Sequence, residues 1–207
     1  MFEAQNAALR EVMLALSDLF AEEGRAGGDV ASQCLREAAD GPLGICSEAA
    51  QPAAKAWFGQ AASAPDCHPI VRLLQAAGDA IVWTRSGARQ NAIPGRYNDM
   101  FFTAYLMGHR SGVPCRKARA GLFMQTPNVL YPQRRHLAEE TYFVLSGISD
   151  WQLGDGPFVT RCAGEFSHHP SNVLHSTRTL TSPLLTAWRL TGEDLEFTSY
   201  KLIENAA

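Results

Sequence analysis

Two histidines, a glutamate and two tyrosines are the residues whose types and spacing could do chemistry together. His136 and Glu140 stand four apart, Tyr142 follows the glutamate by two, Tyr131 precedes the run, and His175 closes a second segment that starts at Gly164. Imidazole and carboxylate together suit a first-row divalent metal, and sites of that kind keep positions open for substrate or water. In an extended strand alternate residues share a face, so Glu140, Tyr142 and Val144 point the same way. With Glu140 facing inward as a ligand, the Tyr142 phenol lies about 7 Å further along, beside whatever the metal holds. His136 is expected from the turn before that strand and His175 from a neighbouring strand. Each residue also has a plainer reading: core or surface histidines, a strand tyrosine that only packs, and a Tyr-Pro pair at a strand entry.

The spacing resembles the two cupin motifs. Their pattern is His-x-His, three or four residues, Glu, six residues, Gly, then Gly, five residues, Pro-x-Gly, two residues, His, three residues, Asn. Six residues separate Glu140 from Gly147, five separate Gly164 from Pro170, and His175 falls in place. Arg134 stands where the first His should be, Asn172 replaces the Gly and Thr179 the closing Asn. The motif therefore matches three ligands, His136, Glu140 and His175. The resemblance implies a mainly β protein, a C-terminal cupin (a double-stranded antiparallel β-helix, or jelly-roll barrel) preceded by an N-terminal α-helical region.

Within the cupins, the segment from Tyr131-Pro132 to Gly147 is similar to the dimethylsulfoniopropionate (DMSP) lyases, which pair these ligands with a Tyr two residues after the Glu and another just before the motif. That resemblance implies cleavage of a small sulfonium zwitterion to dimethyl sulfide and acrylate by β-elimination, using one divalent transition metal, with Zn, Fe, Mn, Co and Ni all compatible. It implies Tyr142 as the base and Tyr131 as a reserve base or orienting donor. Aromatic faces attract cations, so Trp151, Trp188 or either Tyr could cradle the sulfonium. Arg134 has two readings. It shares a face with His136 and clamps the substrate carboxylate, or it sits in solvent at the barrel mouth. Its charge beside a metal is a cost unless a carboxylate or the substrate lies between. A cupin dioxygenase, another small-molecule cupin enzyme and a non-enzymatic small-molecule-binding cupin are the competing functions, since a fold does not choose its chemistry.

Composition removes other classes. The 207 residues carry 18 Lys and Arg against 21 Asp and Glu, with no basic block, so a nucleic-acid partner is not expected. No stretch reaches the length of a membrane span, and the N-terminus lacks the basic start and apolar run of a signal peptide. Five scattered cysteines fit neither a disulfide framework nor a CxxC zinc site, and point to a cytoplasmic protein with reduced thiols.

The elements that must position the site divide at 90/91. Leu9, Val12, Met13, Leu16, Leu19 and Phe20 recur at three- and four-residue steps, the stripe of a helix from Phe2 to Glu23 that Gly24 stops. A second helix is predicted after Asp29 as N-cap, a third over 47–60, and a fourth after Pro69. Residues 84–97 read as a linker. Beyond Asn98, six β-rich runs are predicted as strands: 100–107, 118–124, 141–145, 158–162, 184–190 and 197–202. The helices of residues 1–90 are expected to cover one end of the barrel or a homodimer contact, and to supply no catalytic group. His68, His168 and His169 read as loop residues and His109 as structural, with a minor alternative that His168 or His169 replaces the missing ligand.

Overall fold

In the computed structural model, residues 2–44, 46, 49–86 and 94–203 are described. Among these residues, four α-helices come first: α1 (Phe2–Ala21), α2 (Ala26–Asp40), α3 (Pro52–Ala62) and α4 (Ile70–Ala77). Eleven strands follow: β1 (Trp83–Arg85), β2 (Phe101–Met107), β3 (Ala118–Gln125), β4 (Leu130–Arg135), β5 (Ala138–Ser146), β6 (Ser149–Leu153), β7 (Val159–Arg161), β8 (Phe166–His169), β9 (His175–Thr179), β10 (Leu184–Gly192) and β11 (Lys201–Leu202). They form two antiparallel sheets, ordered β1-β2-β3-β10-β5-β8 and β11-β4-β9-β6-β7.

The six-stranded sheet is covered on both faces, and its sequence says why. Along β3, β5 and β10 nearly every side chain is buried. Leu122, Met124, Phe143, Leu145, Leu185 and Ala187 join one core with the helices, while Phe123, Tyr142, Val144, Leu184, Trp188 and Leu190 join a second core in the lumen. Strict alternation of face explains both memberships. The six apolar residues of the α1 stripe are all buried in the first core. The helices thus cover a face of the barrel rather than an end, because the sheet offers them an apolar outer surface.

Some elements depart from expectation. α2 begins at Ala26 with extended Arg25 as N-cap, and Asp29 lies inside the first turn, where a carboxylate suits the helix dipole. Gly27 and Gly28, poor helix formers, are tolerated there because a Cβ at Gly27 would stand 2.5 Å from Arg189 Nη1, and one at Gly28 the same distance from the Phe20 carbonyl. Close approach to the barrel outweighs propensity. The predicted strand over 197–202 shrinks to Lys201–Leu202: Asp194 accepts hydrogen bonds from the Thr198 and Ser199 amides, and Phe197 has φ 62° in the resulting turn. Strands β1, β4, β6, β8 and β9 were not among the predicted runs. β1, whose last two residues fall in the segment read as a linker, pairs with β2 beyond it. The division at 90/91 falls outside the described residues. No helix among the described residues is long and apolar enough to cross a membrane.

Candidate metal site and pocket

β5 supplies Glu140 and Tyr142 to the lumen, the turn between β4 and β5 supplies His136, and β9 begins with His175. Backbone carbonyls set both imidazoles. His136 Nδ1 lies 2.9 Å from Ala138 O and His175 Nδ1 3.0 Å from Val173 O. A carbonyl only accepts, so each Nδ1 carries the proton and each Nε2 faces inward, 3.3 and 3.7 Å from Glu140 Oε2. The ligand atoms of His136, Glu140 and His175 all lie within 4.8 Å of one another, and all three residues are buried. Glu140 Oε2 and His175 Nε2 have no hydrogen-bond partner. Buried polar atoms left open and converging on one point fit a divalent cation, and two nitrogens with a carboxylate are donors a transition metal accepts.

Protonation states agree with that fit. Burial raises the Glu140 carboxyl, but His136 and His169 outweigh it and hold it well below the usual range, so it is ionised. Burial, reinforced by the Arg134 charge, pushes His175 well down. Tyr142 is pushed well above the ordinary phenol value by burial and then by Glu140, with Arg134 opposing, and burial likewise raises Tyr131.

Arg134 points inward. β4 is irregular between Tyr131, which pairs with Thr177, and Arg134, which pairs with His175. In a regular strand residues three apart face opposite ways; the irregularity turns both to the lumen, and Pro132, which has no amide hydrogen to offer, sits at the break. The guanidinium carbon lies 3.8 Å over the Tyr131 ring, and both terminal nitrogens are buried without a hydrogen-bond partner.

A pocket of about 690 Å³, open mouth included, joins these groups. Trp188 lines it, and Arg119 stacks across the Trp188 ring at 5.8 Å. Trp151 packs beneath Tyr142 at 5.0 Å and outside the lining, its Nε1 donating to Ser149 Oγ. His109 lines the pocket as well. Sequence reasoning missed Arg119, Phe197 and Tyr200. Tyr200 bonds the Tyr131 hydroxyl at 3.1 Å and stacks on His136 at 6.4 Å, while Phe197 meets the His136 ring edge-on at 4.6 Å; nothing in the local pattern at 194–200 marks either, since the turn alone brings them there. His169, read as a loop residue, lies in β8 and is fully buried, and burial lowers it to about 4. Among the described residues of 1–90, Ser86 lines the pocket, and it lies beyond the four helices, none of which contributes to the lining.

Two antiparallel sheets closed around an inward-facing His, Glu and His make this chain a cupin. Residues 43–186 match the model of the dimethylsulfoniopropionate lyase family, and the chain belongs to that family. Over 118 residues it is 30% identical to the dimethylsulfoniopropionate lyase DddQ of Ruegeria pomeroyi, a match covering 55% of this chain and 57% of that protein. The match thus spans little more than half the length of the curated relative. The crystal structure of DMSP lyase DddQ from Ruegeria pomeroyi DSS-3 superimposes with TM-score 0.64 and 26% identity over 78% of this chain and 81% of that one. A chain from the crystal structures of the DMSP lyases RdDddP and RnDddQII gives the same TM-score at 21% identity, over 94% and 100%, a likeness of fold.

Proposed function

We propose that the chain cleaves dimethylsulfoniopropionate to dimethyl sulfide and acrylate by β-elimination in this pocket. One observation carries the reading: a fully buried guanidinium, Arg134, with both terminal nitrogens open, faces the same lumen as Tyr142 and the His136, Glu140 and His175 group. A planar fork held dry and unpaired is a receptor for a carboxylate, and the substrate has one.

The substrate carboxylate docks on Arg134, which orients its α carbon toward Tyr142. Burial holds the Tyr142 phenol protonated, so Tyr142 acts as the phenolate that a cation held beside it would favour. Its Oη takes the α proton, the C–H electrons become the new carbon–carbon double bond, the β carbon–sulfur bond breaks, and sulfur leaves with the pair of that bond as neutral dimethyl sulfide. A divalent transition metal held by His136, Glu140 and His175 would supply Lewis acidity toward the developing charge, and Zn, Fe, Mn, Co and Ni all suit the donors. Tyr131, stacked under Arg134 and bonded to Tyr200, orients the clamp and serves as the reserve base. Trp188 offers an aromatic wall for the sulfonium, and Trp151 supports Tyr142 from beneath. The five cysteines are free, which favours a reducing cytoplasm as the compartment.

Headspace detection of dimethyl sulfide from purified protein, metal-stripped and reloaded in parallel, tests the reading. Release that needs metal supports it. Oxygen consumption with Fe(II) and no sulfide would replace it with a dioxygenase.

A further inference from the structure

Glu140 Oε2, His175 Nε2 and His169 Nδ1 are buried without a hydrogen-bond partner, and the last belongs to a residue outside the His136, Glu140 and His175 group. His169 is directly across the ladder from Glu140, since β5 and β8 pair them in register. Its Nδ1 stands 3.8 Å from Glu140 Oε2, which also has no hydrogen-bond partner. At the other end of the ring, Nε2 meets Ser167 Oγ at 3.2 Å. The ring is confined on the remaining sides, with the centroids of His175 at 4.3 Å, Tyr142 at 5.3 Å and Trp151 at 5.4 Å.

We propose that His169 is a positioning residue for the Glu140 carboxylate, donating Nδ1–H to Oε2 while the Ser167 hydroxyl donates to Nε2. The inference rests on the metal-site reading above. A serine hydroxyl donating to Nε2 leaves the single proton of a neutral imidazole on Nδ1, the nitrogen that faces the carboxylate. A shift of less than about one ångström closes the hydrogen bond between two atoms that otherwise stay buried and unpaired. His169 acts through Glu140 rather than on the metal: the ligand atoms that cluster within 4.8 Å are those of His136, Glu140 and His175. The two ligand histidines are held at Nδ1, away from the ligand nitrogen, by Ala138 and Val173; Glu140 is held through a second lone pair of Oε2, the oxygen that faces them. Groups that orient metal ligands are worth about 10–100-fold in affinity when removed.

The test is Zn(II) affinity of the full chain, by competition with a chromophoric chelator, for wild type, His169→Ala, His169→Asn and Ser167→Ala. Asn places an amide N–H near the position of Nδ1, so it should recover most of what Ala loses. His169→Ala should weaken Zn(II) by about 10–100-fold, and Ser167→Ala by less. X-ray absorption of the Zn(II)-loaded proteins should count two imidazoles in wild type and in His169→Ala alike. Unchanged affinity in His169→Ala overturns the proposal. So does loss of an imidazole from the Zn(II) sphere, which would make His169 a ligand, and so does equal weakening in Ala and Asn with both metal-free proteins melting early, which would make it a packing residue. Wild type that binds no Zn(II), Fe(II), Mn(II), Co(II) or Ni(II) fails the metal-site reading itself, a result distinct from all of these.

Discussion

The Arg134 guanidinium lies 3.8 Å over the Tyr131 ring, and that stacking places a permanent positive charge in the lumen where the motif pattern has a histidine. A ligand position has become a counter-charge. Burial alone would lower the Arg134 pKa, yet Tyr142, Tyr131, Tyr200 and Glu140 together raise it, so the group stays charged.

Arg134→Gln should therefore act on substrate capture. Loss of a charge-assisted fork is worth about 1.5–3 kcal/mol, which is roughly a 10–150-fold rise in KM. Steady-state kinetics checks it, and Arg134→Lys should recover only part, because an ammonium lacks the fork. An unchanged KM would remove Arg134 from substrate binding.

Tyr142→Phe should keep the fold and the metal but lose turnover by about 10²–10⁴-fold, the usual worth of a positioned proton acceptor. Metal content measured beside kcat separates this from damage to the neighbouring Glu140. Full turnover in the variant would pass the base to Tyr131.

The helical layer is pinned to the barrel by charge as well as by apolar packing. Arg189, fully buried on β10, bonds Glu23 through Nε at 2.9 Å and Glu139 through Nη1 at 2.6 Å. Arg189→Met should cost about 3–5 kcal/mol by leaving Glu23 buried and unpaired. Chemical denaturation of the double variant Glu23→Leu/Arg189→Met should show recovery of much of that loss. Additive losses would contradict the pairing.

The turn that carries Phe197 and Tyr200 over the site hangs on Asp194. Burial is the largest single influence and raises that carboxyl, but the hydrogen bonds from Ser199 and Thr198 together outweigh it and lower it to about 2. The folded value lies below the unfolded one, so the stabilisation is complete above about pH 4 and is lost as pH falls toward 2. Asp194→Asn should flatten that part of the stability profile, as read by thermal melts from pH 5 to pH 2. An unchanged acid limb would mean that the turn is held otherwise.

The sequence showed β5 clearly, because an apolar run with Glu140 and Tyr142 on one parity has only one way to face a lumen. It left open which way Arg134 points: parity with His136 puts it inward, the usual exposure of a lone arginine puts it in solvent, and only the closure of the barrel places it in the lumen. β4 and β9 escaped notice for a related reason: Gln133, Arg135, Ser176 and Arg178 give them a polar content that hides their inward residues. His169 looked like a loop residue because its partner across the ladder, Glu140, is 29 positions away. Tyr200 depends on a turn built from Asp194, a tertiary result that no local periodicity records. The α2 start was misplaced because Gly27 and Gly28 serve packing against Phe20 and Arg189, and propensity sees only their cost.

The most direct measurement is proton NMR of dimethylsulfoniopropionate incubated with metal-loaded and metal-stripped protein. Acrylate and dimethyl sulfide should rise one for one with loss of substrate in the loaded sample and stay absent in the stripped one. A hydroxylated or oxygenated product, or an untouched substrate with metal demonstrably bound, would contradict elimination at this site.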